Sequence, residues 1–369
     1  MSRRARVRSC EDDVRNDEAM SETTPSAAEA PLTVVYVANA DSADIAVLAL
    51  DVGEGTLRDI DRFATGGSVM PLALRPNKRV LYASIRSEPY RVLSLAIDPA
   101  SGRLAEIASA PLPASMCWIS TDRSGRWLLS ASYGSSLVAV SPIDEHGAAG
   151  EAQQVLAVDA NAHAVQVDPR NRFALATCLG GGIVRQMRFD AATGHLDDNA
   201  LAPAWRTRAG AGPRHFVFHP TDPFVYLLNE LDATIDVLAF DRAIGTLTGV
   251  AIAHALPHDY SGGPPWAADL HLTPDGRFLF ASERRSSTLA SFAVDAESGL
   301  LTPIETVQTE AEPRGFAISP DGRFLVVVGQ AAHRLSCYRI ESATGELELM
   351  CERPIGRNPN WVEIVELPG

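Results

Sequence analysis

The sequence predicts an all-β fold, a seven-bladed β-propeller closed by pairing its N- and C-terminal strands in one blade. Three observations carry that prediction: one turn motif that recurs along the chain, a second turn motif with the same period, and a C-terminal strand that completes an unfinished first repeat. The first motif is centred on Pro220 in His219-Pro-Thr-Asp-Pro223 and returns at Pro76, Pro169, Pro274 and Pro320, with a degenerate copy at Asp122-Arg-Ser-Gly-Arg126. Successive anchors lie 46 to 54 residues apart. Proline presets φ at the first corner of such a turn, and Asp-Gly tolerates the second.

The second motif is Asp-x-x-x-Gly-x-Leu. It runs Asp51 to Leu57, Asp98 to Leu104, Asp190 to Leu196, Asp241 to Leu247 and Asp295 to Leu301, with Glu341 to Leu347 carrying Glu for Asp and a weaker copy around Asp144 and Gly147. Each sits between short apolar runs, so each reads as a hairpin turn. Two hairpins per period give four strands per period, and four-stranded units at this spacing indicate a propeller.

Taken in chain order, residues 1–30 stand outside the repeat. Four arginines among the first eight residues are followed by acids and by a Ser/Thr/Ala/Glu stretch, a composition that predicts a disordered extension. Met20 is an alternative start. Residues 31–369 form the propeller domain. Val34–Asn39 matches the second strand of a repeat and Asn358–Ile364 matches the first, so one blade is assembled from both ends of the chain. That pairing removes free strand edges.

Composition narrows the function. The net charge is −14 and the isoelectric point about 5.1, which disfavours nucleic acid and anionic membrane as partners. The five cysteines show no C-x-x-C and no zinc spacing, and read as packing thiols of a cytoplasmic protein. There is no secretory h-region and no apolar run long enough for a transmembrane helix.

Aligned repeats turn scattered polar residues into rings. The position six before each turn anchor holds Met70, Cys117, His163, Arg214, Ala268 and Arg314, with Asn360 in the C-terminal strand. One residue later stand Pro71, Trp118, Ala164, His215, Asp269, Gly315 and Trp361. The second strands end at Arg86, Tyr133, Leu179, Glu230, Arg284 and Gln330, preceded in three blades by Asn229, Glu283 and Gly329. A hairpin returns its end to the edge where it began. The expected cluster at one mouth of the central channel is therefore His163, Arg214, Glu230, Arg86, Asp269, His271, Glu283, Arg284, Arg314 and Gln330. The turn arginines Arg79, Arg172, Arg277 and Arg323, with Asp168 and His219, belong to the opposite face and read as structural. His146, His195, His254 and His258 fall in loop-like segments. His271 is open between supporting the site and packing.

Arginine forks suit phosphate and carboxylate oxygens, so several at one mouth of an acidic protein imply a small anionic ligand. His163 has the unperturbed pKa nearest neutrality and is the natural proton carrier, with Glu230 as the other candidate to activate water. No G-x-S-x-G, H-E-x-x-H or Walker loop is present. Direct attack of an activated water on an already reactive substrate fits better than covalent serine catalysis or nucleotide hydrolysis. Carboxylates alternate with arginines, so no metal and no cofactor is expected.

The strings Gly212-Pro-Arg-His-x-x-Phe-His-Pro, Asn229-Glu230, Trp266-Ala-Ala-Asp-Leu-His-Leu-Thr-Pro-Asp-Gly-Arg277, Pro313-Arg-Gly-Phe and Gly329-Gln330 resemble the seven-bladed propeller lactonase family. That family includes cycloisomerase-type bacterial 6-phosphogluconolactonases and is similar to carboxy-muconate lactonising enzymes. The resemblance covers about residues 32–367. It implies hydrolysis of 6-phospho-D-glucono-1,5-lactone in the pentose phosphate pathway, with a small anionic sugar-phosphate lactone as partner. It also implies a His, Arg and Glu site, matched here by His163, Arg214 and Glu230. Cys117-Trp118 departs from the Thr-His pair expected in the second repeat. A lactonase or cycloisomerase acting on another sugar or muconate-type lactone, and a non-catalytic binding propeller, are the alternatives. The expected assembly is a monomer or a weak homo-oligomer.

Overall fold

The computed structural model describes residues 31–257 and 259–367. The predicted extension and alternative start, Cys10 and His258 lie outside those residues. The chain forms seven antiparallel sheets, each ordered from the central channel outward. Blade one joins Pro359–Glu366 to Thr33–Asn39, Asp44–Asp51 and Thr56–Ala64. Blade two is Val69–Leu74, Val80–Ile85, Arg91–Ile97 and Leu104–Pro111. Blade three is Trp118–Thr121, Trp127–Ser132, Leu137–Pro142 and Gln154–Ala157. Blade four is Ala162–Val167, Phe173–Cys178 and Ile183–Asp190, with its outer strand split into His195–Asp198 and Ala204–Arg206. Blade five is Pro213–Phe218, Phe224–Asn229, Thr234–Asp241 and Thr246–His254. Blade six is Ala267–Leu272, Phe278–Glu283, Thr288–Val294 and Leu301–Gln308, and blade seven is Pro313–Ile318, Phe324–Gly329, Arg334–Ile340 and Leu347–Pro354.

Closure follows the phase of the repeats. Pro359–Glu366 pairs antiparallel with Thr33–Asn39, and Leu367 N–H donates to the Leu32 carbonyl. The core is a ring of apolar layers between adjacent blades. Val34, Tyr36, Leu72 and Leu81 fill the layer between blades one and two, and Val37, Leu48, Val326 and Val328 the layer between blades seven and one. Second strands are buried along their whole length in six blades, as in Phe278–Glu283 and Phe324–Gly329, and in blade three from Leu128 onward. That explains their near-continuous apolar sequence, where a strand open to solvent on one side would alternate.

The two turn motifs hold the blades in register. Asp168 shows the role of the first: its carboxylate accepts the N–H groups of Arg172 (2.6 Å) and Phe173 (2.7 Å). His219 does the same through Nδ1, which accepts from Asp222 N–H at 2.9 Å. Arg277 and Arg323 lie over their neighbours Phe278 and Phe324. The second motif docks each blade on the one before it. Its glycine adopts positive φ, +70° at Gly299, and a Cβ there would lie 2.6 Å from the Phe224 ring of the preceding blade. Trp127 packs the same way on Gly194, and Phe324 on Gly55. In three blades a tyrosine adds a hydrogen bond to the next blade's glycine carbonyl: Tyr36 to Gly102 at 2.8 Å, Tyr82 to Gly147 at 2.9 Å and Tyr226 to Gly299 at 3.0 Å.

Candidate active site

Six of the seven innermost strands share an irregularity at the same place. Pairing with the second strand skips residue 163 in blade four, 214 in blade five and 314 in blade seven. In blade one the register shifts between partners Trp361 and Pro359, which leaves Asn360 out. A β-bulge frees one residue from the ladder and re-aims its side chain. These four blades thus each present one unpaired residue at the mouth, His163, Arg214, Arg314 and Asn360, while blades two and six skip two residues at the same place. Second strands deliver Arg86, Tyr133, Glu230, Arg284 and Gln330 to the same end, just past their last residues.

Glu230 organises one side of the mouth. Its Oε2 accepts from Arg214 Nε at 2.8 Å and from Arg284 Nη2 at 3.0 Å. Both guanidinium groups are almost wholly buried, at 2% exposure. Arg214 also donates through Nη1 to the Ala268 carbonyl, and its Nη2 has no partner among the described residues. Arg284 lies 3.7 Å above the Trp266 ring and donates to the carbonyls of Trp266 and Ala267. Burial, with Arg214 beside it, pushes the Arg284 guanidinium below its usual range.

His163 lies next in the ring. It is 5% exposed, and its Nδ1 is buried without a hydrogen-bond partner among the described residues. Burial first, then Arg214, His215 and Arg314, hold its pKa well below the ordinary histidine value. The imidazole is therefore neutral and can accept a proton. Tyr133 stacks edge-on against it with ring centres 5.9 Å apart. Arg314 and Arg86 occupy the remaining arc. Arg86 Nε donates to Ser115 Oγ at 3.0 Å, and burial, Arg214 and Arg86 push the Arg314 guanidinium down to about 10.

Beneath these residues the channel is plugged by an aromatic floor. Trp118 meets His215 with ring centres 4.7 Å apart and Trp361 at 5.3 Å, each edge to face. Below the floor runs a channel of about 410 Å³, lined by Gln166, Asp269, His271 and Glu363 among others. Asp269 accepts from His215 Nδ1 at 2.8 Å and bridges to His271 Nε2 at 3.2 Å. Burial works to raise the Asp269 carboxyl, but His271 and His215 hold it well below the usual carboxylate range. His215, squeezed by burial and Arg214, falls to about 3 and stays neutral, whereas Asp269 raises His271 against the effect of burial. Burial pushes the Glu363 carboxyl up to about 7.

The structure therefore brings together His163, Arg214, Glu230, Arg284, Arg314 and Arg86, with Gln330 at the rim bonded to Asn358 at 2.7 Å. Asp269 and His271 stand on the channel side of the floor instead. Glu283 is fully buried and does not offer its carboxylate to the mouth: it accepts from Trp266 N–H and from Ser286 N–H and Oγ. Sequence reasoning misses the floor residues Trp118, His215 and Trp361, although the aligned repeats carry them one position after the ring. Among the described residues no group of three or more His, Cys, Asp or Glu could hold a metal, and no helix is long and apolar enough to cross a membrane. Cys117, Cys178 and Cys337 are buried thiols in the packing.

A model of the family described as lactonase, 7-bladed beta-propeller, matches residues 32–364. The chain is 40% identical to the 6-phosphogluconolactonase of Pectobacterium carotovorum over 334 residues, covering 90% of this chain and 99% of that one. It is 38% identical to that of Serratia proteamaculans, covering 90% and 98%. Among solved structures, a periplasmic gluconolactonase of Pseudomonas aeruginosa superposes with a TM-score of 0.85 at 28% identity, covering 91% of this chain and all of that one. A protein from Lactobacillus plantarum does so with a TM-score of 0.82 at 26% identity, covering 91% and 100%.

Proposed function

Because the chain belongs to the seven-bladed β-propeller lactonase family, we infer that it hydrolyses 6-phospho-D-glucono-1,5-lactone to 6-phospho-D-gluconate, the lactonase step of the pentose phosphate pathway. The observation that carries the mechanism is the bulge-presented mouth: a neutral histidine with an unpartnered nitrogen beside arginines held by one glutamate.

In that mouth His163 accepts a proton from a water molecule as the water oxygen bonds to the lactone carbonyl carbon. Negative charge moves onto the carbonyl oxygen, where Arg214 Nη2 and Arg284 meet it. The ring C–O bond then breaks, and its oxygen takes the proton back from His163. The acid product ionises. Glu230 sets the two arginines before substrate arrives, so no reorganisation is needed as charge develops. Glu230 itself is engaged by both guanidinium groups, which favours His163 over Glu230 as the base. All these groups come from one chain, so a monomer carries a complete site. The buried thiols support a reducing, cytoplasmic location.

The test is disappearance of 6-phosphogluconolactone, generated in place by glucose 6-phosphate dehydrogenase, against its spontaneous hydrolysis, with gluconolactone in parallel. Rapid loss of the phosphorylated lactone is expected, and no acceleration of either lactone overturns the reading. Arg214→Ala removes one preorganised donor and should lower kcat by about 10²–10³. Near-normal turnover would remove Arg214 from the mechanism.

A further inference from the structure

The cations of the mouth are of two kinds, and their arrangement around the ring separates them. Arg214 and Arg284, on blades five and six, share the carboxylate of Glu230. Arg314, on blade seven, makes no hydrogen bond and no ion pair among the described residues; its neighbours in the field are Arg214, Arg86, Cys117 and, weakest, Glu230. Arg86, on blade two, is held only through Nε by the neutral Ser115 hydroxyl, leaving both terminal nitrogens free. Between them blade one contributes Asn360, 1% exposed, with Nδ2 bonded to the Val69 and Asn358 carbonyls and Oδ1 unpartnered. One arc of the ring thus sets a carboxylate between its two cations, while the other holds two cations with no carboxylate.

An uncompensated cation in a largely desolvated mouth is costly unless an anion meets it. A guanidinium fork matches two oxygens of a phosphate at once. We propose that Arg314 and Arg86 form the phosphate subsite, binding the 6-phosphate dianion of the substrate, and that the Glu230-linked pair serves the carbonyl. This rests on the lactonase reading for the identity of the phosphate ester, but binding tests it independently of turnover. The assignment also sets orientation: with the phosphate on the arc of blades seven to two, the lactone ring reaches across the mouth toward His163 and Arg214 on blades four and five. Phosphate binding then selects the substrate rather than driving the chemical step.

Two measurements test it. In the first, glucose 6-phosphate and glucose are titrated calorimetrically into wild-type protein, Arg314→Gln and Arg86→Gln. Glucose 6-phosphate should bind wild type in preference to glucose, and each substitution should weaken it about tenfold to a hundredfold, the range for a charge-assisted hydrogen bond. Both variants should melt no lower than wild type, because each removes an unpaired cation. Undiminished glucose 6-phosphate binding in both variants overturns the subsite. In the second, kcat/KM is compared on 6-phosphogluconolactone and gluconolactone. The variants should lose far more kcat/KM on the phosphorylated lactone, through KM, than on gluconolactone. Equal loss on both lactones, or loss confined to kcat, would place these arginines at the carbonyl instead. Absence of turnover by wild type would sink the lactonase reading and leave the calorimetric result to judge the subsite.

Discussion

His163, the base of the proposed mechanism, combines a lowered pKa with a buried nitrogen that has no hydrogen-bond partner among the described residues. Its pKa lies below the ordinary value because burial and the nearby arginines penalise the imidazolium. In the proposed mechanism the working form is the unprotonated one, so activity should fall only when pH drops through that lowered pKa. The acid limb of kcat/KM should therefore lie well below pH 6.5, the ordinary histidine value. Rates followed by phosphorus NMR between pH 5 and 8 would check this, and a limb centred at 6.5 or higher would remove His163 as the base. That His163, Arg214 and Arg314 stand apart from the repeat is legible in the sequence, because a ring copied from a repeat holds ionisable groups in some blades and apolar ones in others. Their bulges are not, since a skipped register leaves no mark on composition. Glu283 stands immediately before Arg284, and successive strand residues point to opposite sides. The row that delivers Arg284 to the mouth therefore turns Glu283 away into its turn. Asp269 follows its ring position by one residue and His271 by three, which takes both beneath the floor.

At the scale of the element, the Asp-x-x-x-Gly-x-Leu hairpin is legible as a turn, but its second duty is invisible in one repeat alone. Its glycine faces an aromatic or valine side chain from the preceding blade, seen in Phe224 against Gly299 and Val34 against Gly102. Gly299→Ala should be destabilising for two reasons: positive φ costs an alanine about 1–2 kcal/mol, and the new methyl overlaps the Phe224 ring, where overpacking costs about 1–3 kcal/mol. Gly210 supplies the control, with φ of +80° and no atom within 4 Å of the place a methyl group would take. Gly210→Ala carries the strain alone. Thermal unfolding should rank wild type above Gly210→Ala, and Gly210→Ala above Gly299→Ala. Shortening the ring in Gly299→Ala/Phe224→Leu should recover part of the difference. Equal losses in the two glycine variants would mean that blade docking does not depend on this contact.

At the scale of the whole molecule, the fold is the most legible feature because seven copies of a weak signal reinforce one another. The phase of the repeats even locates the closure, with the C-terminal strand entering blade one beside Thr33–Asn39. Closure by one strand plus three makes the last contact of the ring a strand ladder within a sheet, where a cut between blades leaves side-chain packing and a few cross-blade hydrogen bonds to hold the ends. The two arrangements can be compared in this chain, since Leu367 hydrogen-bonds Leu32 and a short linker can join those ends. A permutant opened in the turn at residues 220–222 splits blade five and recreates one-plus-three closure there. A permutant opened at residues 261–263, between blades five and six, leaves every sheet continuous but closes the ring without a strand ladder, through side-chain packing and cross-blade bonds such as Arg284 to Glu230. The first should have the higher melting temperature and the slower unfolding, with both keeping the mouth intact. The reverse order would show that inter-blade packing, reinforced by hooks such as Tyr226 to Gly299, holds the ring without help from the shared blade.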